Sequence, residues 1–179
     1  MKKVLSLLVV LVLFAGFTNG QSKITLGVGG TLALPMGTFG DVAEMGFGGL
    51  VKGEMGFGSI IGTASVGYLT FGGKDVSGYK STWSAIPILV GAKYPFASSF
   101  YGSFELGLNM LTIEATTPEI KYGTTVLYPA QTVSASETKF GYALGVGYQL
   151  SAIDIVLKYQ TLASDANFIG VNVIYNFGL

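Results

Sequence analysis

In the stretch 167–179 (NFIGVNVIYNFGL), Ile169, Val171, Val173, Tyr175, Phe177 and Leu179 share one face, and Phe168, Gly170, Asn172, Ile174, Asn176 and Gly178 share the other. A period of two belongs to a strand; a helical face repeats every ~3.6 residues. The first face is wholly apolar and ends in aromatics. The second is mixed, with two amides and two glycines. A soluble sheet turns its apolar face to a core and its polar face to water, whereas a transmembrane barrel strand turns its apolar face to lipid and its small, polar face to a narrow interior. The other strands decide between these outcomes.

The same alternation predicts eight strands, at 23–34, 45–56, 60–71, 82–94, 100–113, 138–150, 152–161 and 167–178. In the first, Ile24, Leu26, Val28, Leu32 and Leu34 oppose Thr25, Gly27, Gly29, Thr31 and Ala33. In the fifth, Phe104, Leu106, Leu108 and Met110 oppose Ser103, Glu105, Gly107 and Asn109, and in the sixth Tyr142, Leu144, Val146 and Tyr148 oppose Gly141, Ala143, Gly145 and Gly147. The third strand, with Ala64, Val66 and Tyr68 against Thr63, Ser65 and Gly67, alternates least cleanly. Two arguments orient the faces. The interior of an eight-stranded barrel is only wide enough for side chains to fill, so the face rich in Gly, Ala, Ser and Thr fits inside and the Leu/Ile/Val/Tyr face does not. A soluble exterior also needs charge, yet only 11% of the chain is charged, against a usual ~25%. The chain therefore reads as an all-β, eight-stranded antiparallel up-and-down transmembrane barrel. A soluble lipocalin-like barrel is the alternative. Six tyrosines on the apolar face (Tyr68, Tyr94, Tyr142, Tyr148, Tyr159 and Tyr175) match a girdle at the membrane interface.

Residues 1–20 read as a secretory signal peptide: Lys2 and Lys3, then an apolar run over 4–14, then Thr18-Asn19-Gly20 at a plausible cleavage point. The run is too short for a spanning helix of ~20 residues. The remaining residues, 21–179, form one barrel domain. Without Lys2 and Lys3 the chain carries eight lysines against ten acidic residues, a formal charge of −2, which gives nucleic acid no basic surface to bind. Short connections at 57–59, 95–99 and 150–151 alternate with longer ones at 35–44, 72–81, 114–137 and 162–166. That asymmetry is the one between periplasmic turns and outer loops.

The chain has no His and no Cys, which disfavours metal and thiol sites and predicts no cofactor. The predicted inward charges are Lys52, Glu54, Lys93, Glu105, Lys139, Asp154 and Lys158. In a narrow lumen they are expected to pair as a structural plug; a gate for a small-solute or ion channel is the functional alternative. Gly27-Val28-Gly29-Gly30 and Gly46-Phe47-Gly48-Gly49 sit in strands and lack the Lys-Ser/Thr and helix of a phosphate loop. The loop 114–137 is the candidate interaction surface. Its runs 124–128 and 131–134 have strand character, are expected to extend strands five and six, and would expose an edge for partner binding by strand addition. The outer loops carry Asp41, Glu44, Asp75, Glu114, Glu119, Glu137 and Asp165 against Lys74, Lys80 and Lys121.

The chain resembles the small eight-stranded outer-membrane barrels of the OmpA/OmpX type, and more closely the outer membrane protein β-barrel domain proteins. The residues that carry the likeness are Ala33-Leu34-Pro35-Met36-Gly37-Thr38-Phe39-Gly40-Asp41, Ile86-Pro87-Ile88-Leu89-Val90-Gly91-Ala92-Lys93-Tyr94, Glu105-Leu106-Gly107-Leu108-Asn109 and the aromatic ending. The resemblance implies a bacterial outer-membrane location, a monomer among outer-membrane lipid, and a structural or surface-interaction role such as adhesion. It also implies a C-terminal insertion signal, Tyr175, Phe177 and Leu179, for the barrel assembly machinery. Such barrels commonly end on Phe, whereas this chain ends Phe177-Gly178-Leu179. Lipid-modifying and protease barrels of this kind rely on His, so the resemblance does not extend to an enzyme.

Overall fold

The period-two pattern builds ten strands and one short helix in the computed structural model, which describes residues 24–74, 80–117, 120–122 and 125–178. They are β1 (Ile24–Met36), α1 (Gly37–Val42), β2 (Ala43–Phe57), β3 (Ile60–Gly73), β4 (Lys80–Pro95), β5 (Phe100–Thr116), β6 (Ile120–Tyr122), β7 (Thr125–Tyr128), β8 (Thr132–Leu150), β9 (Ile153–Ala163) and β10 (Ala166–Gly178). Eight of them close a barrel in the order β1-β10-β9-β8-β5-β4-β3-β2, while β6 and β7 pair separately as a two-stranded sheet. All barrel pairs are antiparallel. The first and last strands meet in a register running from Thr25 opposite Gly178 to Met36 opposite Asn167. Closure removes the open edges that a flat sheet would expose. The predicted signal peptide and Leu179 lie outside the described residues.

The faces fall as the alternation predicts. Ile169, Val171, Val173, Tyr175 and Phe177 stand outside, and Phe168, Asn172, Ile174 and Asn176 are buried inside. Glycine makes room for the large inward residues, because each of several sits directly across the ladder from one. Gly27 faces Lys52, Gly46 faces Phe71, Gly91 faces Glu105, Gly147 faces Tyr101 and Gly145 faces Lys158. This is where the 27 glycines of the chain earn their abundance: a narrow barrel fills evenly only when large and small side chains alternate around it. Pro87 leaves one local mark. It has no N–H to donate, and the β3–β4 ladder skips from Val66/Ile88 to Leu69/Ala85.

At one end the connections are tight, with Gly58 (φ 65°) and Ser151 (φ 54°) in left-handed turns. The other end departs from expectation in three ways. The 35–44 loop contains α1, too short to be stable alone and held by Phe39, which is buried. Thr38 Oγ1 donates to the Asp165 carbonyl at 3.1 Å and Lys74 Nζ to that of Gly40 at 2.5 Å. The 162–166 connection is a two-residue turn, Ser164-Asp165. Finally, β8 begins at Thr132 instead of 138, and β5 runs on to Thr116, so these strands pair three residue rows beyond Ile113. The run 125–128 forms β7 and pairs with β6 instead of extending strand five.

Candidate functional site

The barrel interior is built from three layers. Nearest the tight turns lies an ion cluster centred on Asp154 of β9, which is fully buried. Its Oδ2 accepts from Lys93 Nζ at 2.6 Å and Lys52 Nζ at 2.9 Å, and its Oδ1 accepts from the Tyr101 hydroxyl at 2.6 Å. Glu54 Oε1 meets the same two ammonium groups, at 2.7 Å from Lys52 and 2.6 Å from Lys93. Lys93 also lies 4.2 Å from the centroid of the Tyr101 ring, a cation–π contact. Above this, Lys158 and Glu105 pair at 3.5 Å. The interior thus holds three lysines and three carboxylates in contact, the condition under which buried charge is tolerated.

The middle layer is polar, with Thr31, Asn109, Gln160 and Asn172 buried, while Asn176 is buried at the turn end, its N–H on the Ala152 carbonyl at 2.7 Å. Two cavities of about 20 Å³ interrupt it, one against Lys52, Tyr101, Glu105 and Asn172, the other against Thr31, Ser65 and Gln160. Each has room for about one water.

The outer layer is apolar. Phe39 meets Phe71 edge-on at 5.1 Å and Trp83 at 5.5 Å, and Phe71 lies 5.9 Å from Phe168. Ala33, Leu69, Leu111 and Leu162 belong to the same cluster. The alternation placed neither Phe39, which entered only through the family likeness, nor Trp83 in the interior. Tyr101 was also missed. Its signal was available: it shares the parity of Glu105 on β5 and faces a glycine across β8.

Six of the seven predicted lumen charges, Lys52, Glu54, Lys93, Glu105, Asp154 and Lys158, are brought together. Lys139 is not, and its placement in the lumen is corrected. It points to the inward side of β8, but the β8–β9 ladder begins only at Ala143 opposite Gln160, so at Lys139 there is no wall on that side to enclose it. It instead pairs with Glu137 at 3.1 Å, its side chain 47% exposed.

Side chains mend the wall where β8 leaves β9. Thr161 Oγ1 accepts from the Tyr142 N–H at 2.9 Å and donates to the Tyr142 carbonyl. Asn109 Nδ2 reaches from β5 to the carbonyls of Thr161, 3.3 Å away, and Leu162, 3.2 Å away. Beyond this seam β8 has no strand partner on its β9 side among the described residues. The Tyr142 N–H points to that side, and antiparallel alternation carries the direction to Phe140, Thr138, Ser136 and Ser134. Residues 132–140 are all exposed. The outward extension is therefore a flap of β4, β5 and β8 with one free edge.

Around the barrel the outer wall is a continuous apolar surface: Val28, Phe47, Val66, Ile88, Leu108, Leu144, Leu157 and Val173 are each between 43% and 64% exposed. On β4 it runs from Ile86 to Tyr94, about 20 Å of height at ~3.3 Å per residue and a ~40° tilt. The exposed Phe96 in the following turn carries it toward the ~25 Å apolar band of outer-membrane barrels.

No protein-family profile and no curated protein matches the sequence. Solved structures do. Ail, the attachment invasion locus protein of Yersinia pestis, in complex with the heparin analogue sucrose octasulfate, superposes with a TM-score of 0.63 at 12% identity, over 88% of this chain and 100% of that one. Neisserial surface protein A gives a TM-score of 0.56 at 12% identity, over 86% and 97%. The fold is that of the small eight-stranded outer-membrane barrels. The backbone structure of the outer membrane protein Ail in a phospholipid bilayer nanodisc agrees, with a TM-score of 0.50 at 15% identity over 88% and 100%. At these identities the likeness is one of architecture, and the chemistry must be argued from this chain.

Proposed function

We propose that this is an integral outer-membrane barrel with a non-conducting interior, acting as a monomer in a structural or surface-interaction role through its β4–β5–β8 flap. The observation that carries the proposal is the inversion of the molecule, with large apolar side chains over the whole outer wall and balanced charge packed within. An aromatic layer at one end and an ion cluster at the other support a sealed lumen rather than a channel. Export by the leader 1–20 and recognition of Tyr175, Phe177 and Leu179 by the barrel assembly machinery belong to the same reading. The free edge of β8 supports engagement of a partner by strand addition.

The sucrose octasulfate bound by the Yersinia protein does not transfer readily to this chain. The outer segments of the sequence carry Asp41, Glu44, Asp75, Glu114, Glu119, Glu137 and Asp165 against Lys74, Lys80, Lys121 and Lys139, and that balance repels sulfates. No catalytic role is proposed.

Two measurements test the proposal. The protein should fractionate with outer membranes and require detergent for extraction; a monomer stable in buffer alone would overturn the membrane reading. Reconstituted in planar bilayers, it should give no stepwise conductance, and steps altered by Lys93→Gln would replace the sealed lumen with a channel.

A further inference from the structure

The outer face of β4, β5 and β8 changes chemistry within one residue row. Ile88, Leu108 and Phe140 stand side by side, and the next row is Ile86, Met110 and Thr138. Above it come Ser84, Thr112 and Ser136, then Thr82, Glu114 and Ser134. The hydroxyls are ordered: Thr112 Oγ1 lies 2.9 Å from Ser136 Oγ, and Thr116 Oγ1 lies 3.0 Å from Thr132 Oγ1. On β1 and β10 the outward face stays apolar much farther, with Leu32, Leu34 and Ile169 exposed. The hydroxyl face is thus a local feature of the flap.

A groove of about 480 Å³ lies across this transition. Tyr68, Ile86 and Met110 form its apolar part, and Ser84, Thr112, Ser136 and Thr138 its polar part. The short side chains of Ser84, Thr112 and Ser136 set its floor between the bulkier Tyr68 and Met110. No lysine lines it, and the Glu137 carboxylate lies on the opposite face of β8, paired with Lys139. Such a lining accepts hydrogen bonds from hydroxyl groups and does not attract phosphate.

We propose that this groove is a binding site for a glycolipid of the outer leaflet. A sugar hydroxylated on every side would meet Ser84, Thr112 and Ser136, with an acyl chain lying against Ile86, Met110 and Tyr68. The site rests on the membrane placement argued above, because only that placement sets the Ile86–Met110 row at the boundary between hydrocarbon and headgroups.

The test uses the full barrel in nanodiscs of phosphatidylethanolamine and phosphatidylglycerol, with and without a phosphate-free glycolipid, a glucosyl diacylglycerol, read by native mass spectrometry of the lipids retained after detergent exchange. The wild type should keep the glycolipid in preference to either phospholipid. The triple variant Ser84→Val, Thr112→Val, Ser136→Val should retain it about tenfold less, the change that losing one or two hydrogen bonds brings. Met110→Trp, which fills the groove and keeps its hydroxyls, should lose the preference as well and decides the matter should the triple variant fail to fold. Equal retention of glycolipid and phospholipid, or full retention by the folded variants, overturns the site while a barrel inserted in both kinds of nanodisc leaves the membrane placement standing. A barrel that enters neither overturns both.

Discussion

Asn109 on β5 donates to the Leu162 carbonyl on β9 at 3.2 Å, across the strand that lies between them. It can do so because Gly141 of β8 has no side chain there; a Cβ at that position would collide with the Asn109 amide and the Thr161 carbonyl. This contact lets β8 rise free of the wall without stranding the backbone of β9. Asn109→Leu should cost about 1–3 kcal/mol, the penalty for leaving buried carbonyls unpaired. Urea titration of the folded barrel in vesicles measures it, and faster amide exchange confined to the 140–142 and 161–163 seam would locate it. An unchanged midpoint would mean that water replaces the amide.

The Asp154 cluster separates buried from exposed charge. Asp154→Asn preserves shape but leaves Lys52 and Lys93 with Glu54 as their remaining contact among the carboxylates described. The expected loss is roughly 3–5 kcal/mol, as for other broken buried pairs. Lys139→Gln breaks only an exposed pair and should stay within about 0.5 kcal/mol of the wild type. Similar losses at the two positions would contradict the difference in burial.

Neighbours on β8 probe the two faces. Val146 is 54% exposed on the outer wall, and Val146→Lys should cost roughly 2–4 kcal/mol of insertion free energy. Gly147→Ala adds one methyl, but it pushes into the Tyr101 ring, which Asp154 and Lys93 hold in place. Overpacking of that kind costs about 1–3 kcal/mol. In detergent, where the outer wall is less constrained, the Val146 effect should shrink and that of Gly147 should persist. A reversal would invert the face assignment.

Phe177 and Phe168 lie on opposite faces of β10 and should fail differently. Phe177 packs against Tyr175 with ring centroids 4.8 Å apart on the outer wall, so Phe177→Ser should slow assembly in cells yet leave the assembled barrel nearly as stable. Phe168 is fully buried, and Phe168→Ser should cost roughly 3–5 kcal/mol once folded. Pulse-chase assembly and urea unfolding separate these outcomes; slow assembly at Phe168 with normal assembly at Phe177 would dismiss the insertion signal.

The free edge of β8 can be closed chemically. Ser136→Pro removes an N–H that points away from β5, so the barrel should fold while peptides selected against the wild-type protein from a random library bind about tenfold less, the cost of roughly one to two lost hydrogen bonds. Undiminished binding would move the interaction away from the edge.

The parity of residues was legible in the sequence, and so was much of the interior. Ile169 and Phe168 differ by one position, and alternation alone assigns them to opposite faces. Height was not legible. Lys139 has the parity of a lumen residue, but whether it is enclosed depends on where β9 ends, and that is set by the two-residue turn Ser164-Asp165. The same blindness hid the aromatic layer. Phe39 lies in a loop with no period to read, and the other rings of the layer, Phe71, Trp83 and Phe168, come from three separate strands. Strand character at 131–134 was visible, whereas the pairing of 125–128 with β6 depended on chain reversal within a short segment.

The pairing of β1 with β10 has a consequence for how the chain comes into being. The strand that must accept the last one is made first, and its open side stays unsatisfied until twelve residue pairs form at the opposite end of the sequence. Long-range contacts of this kind are slow to form. No smaller closed barrel precedes the complete one: seven strands leave two open edges, and only the arrival of the eighth removes both at once.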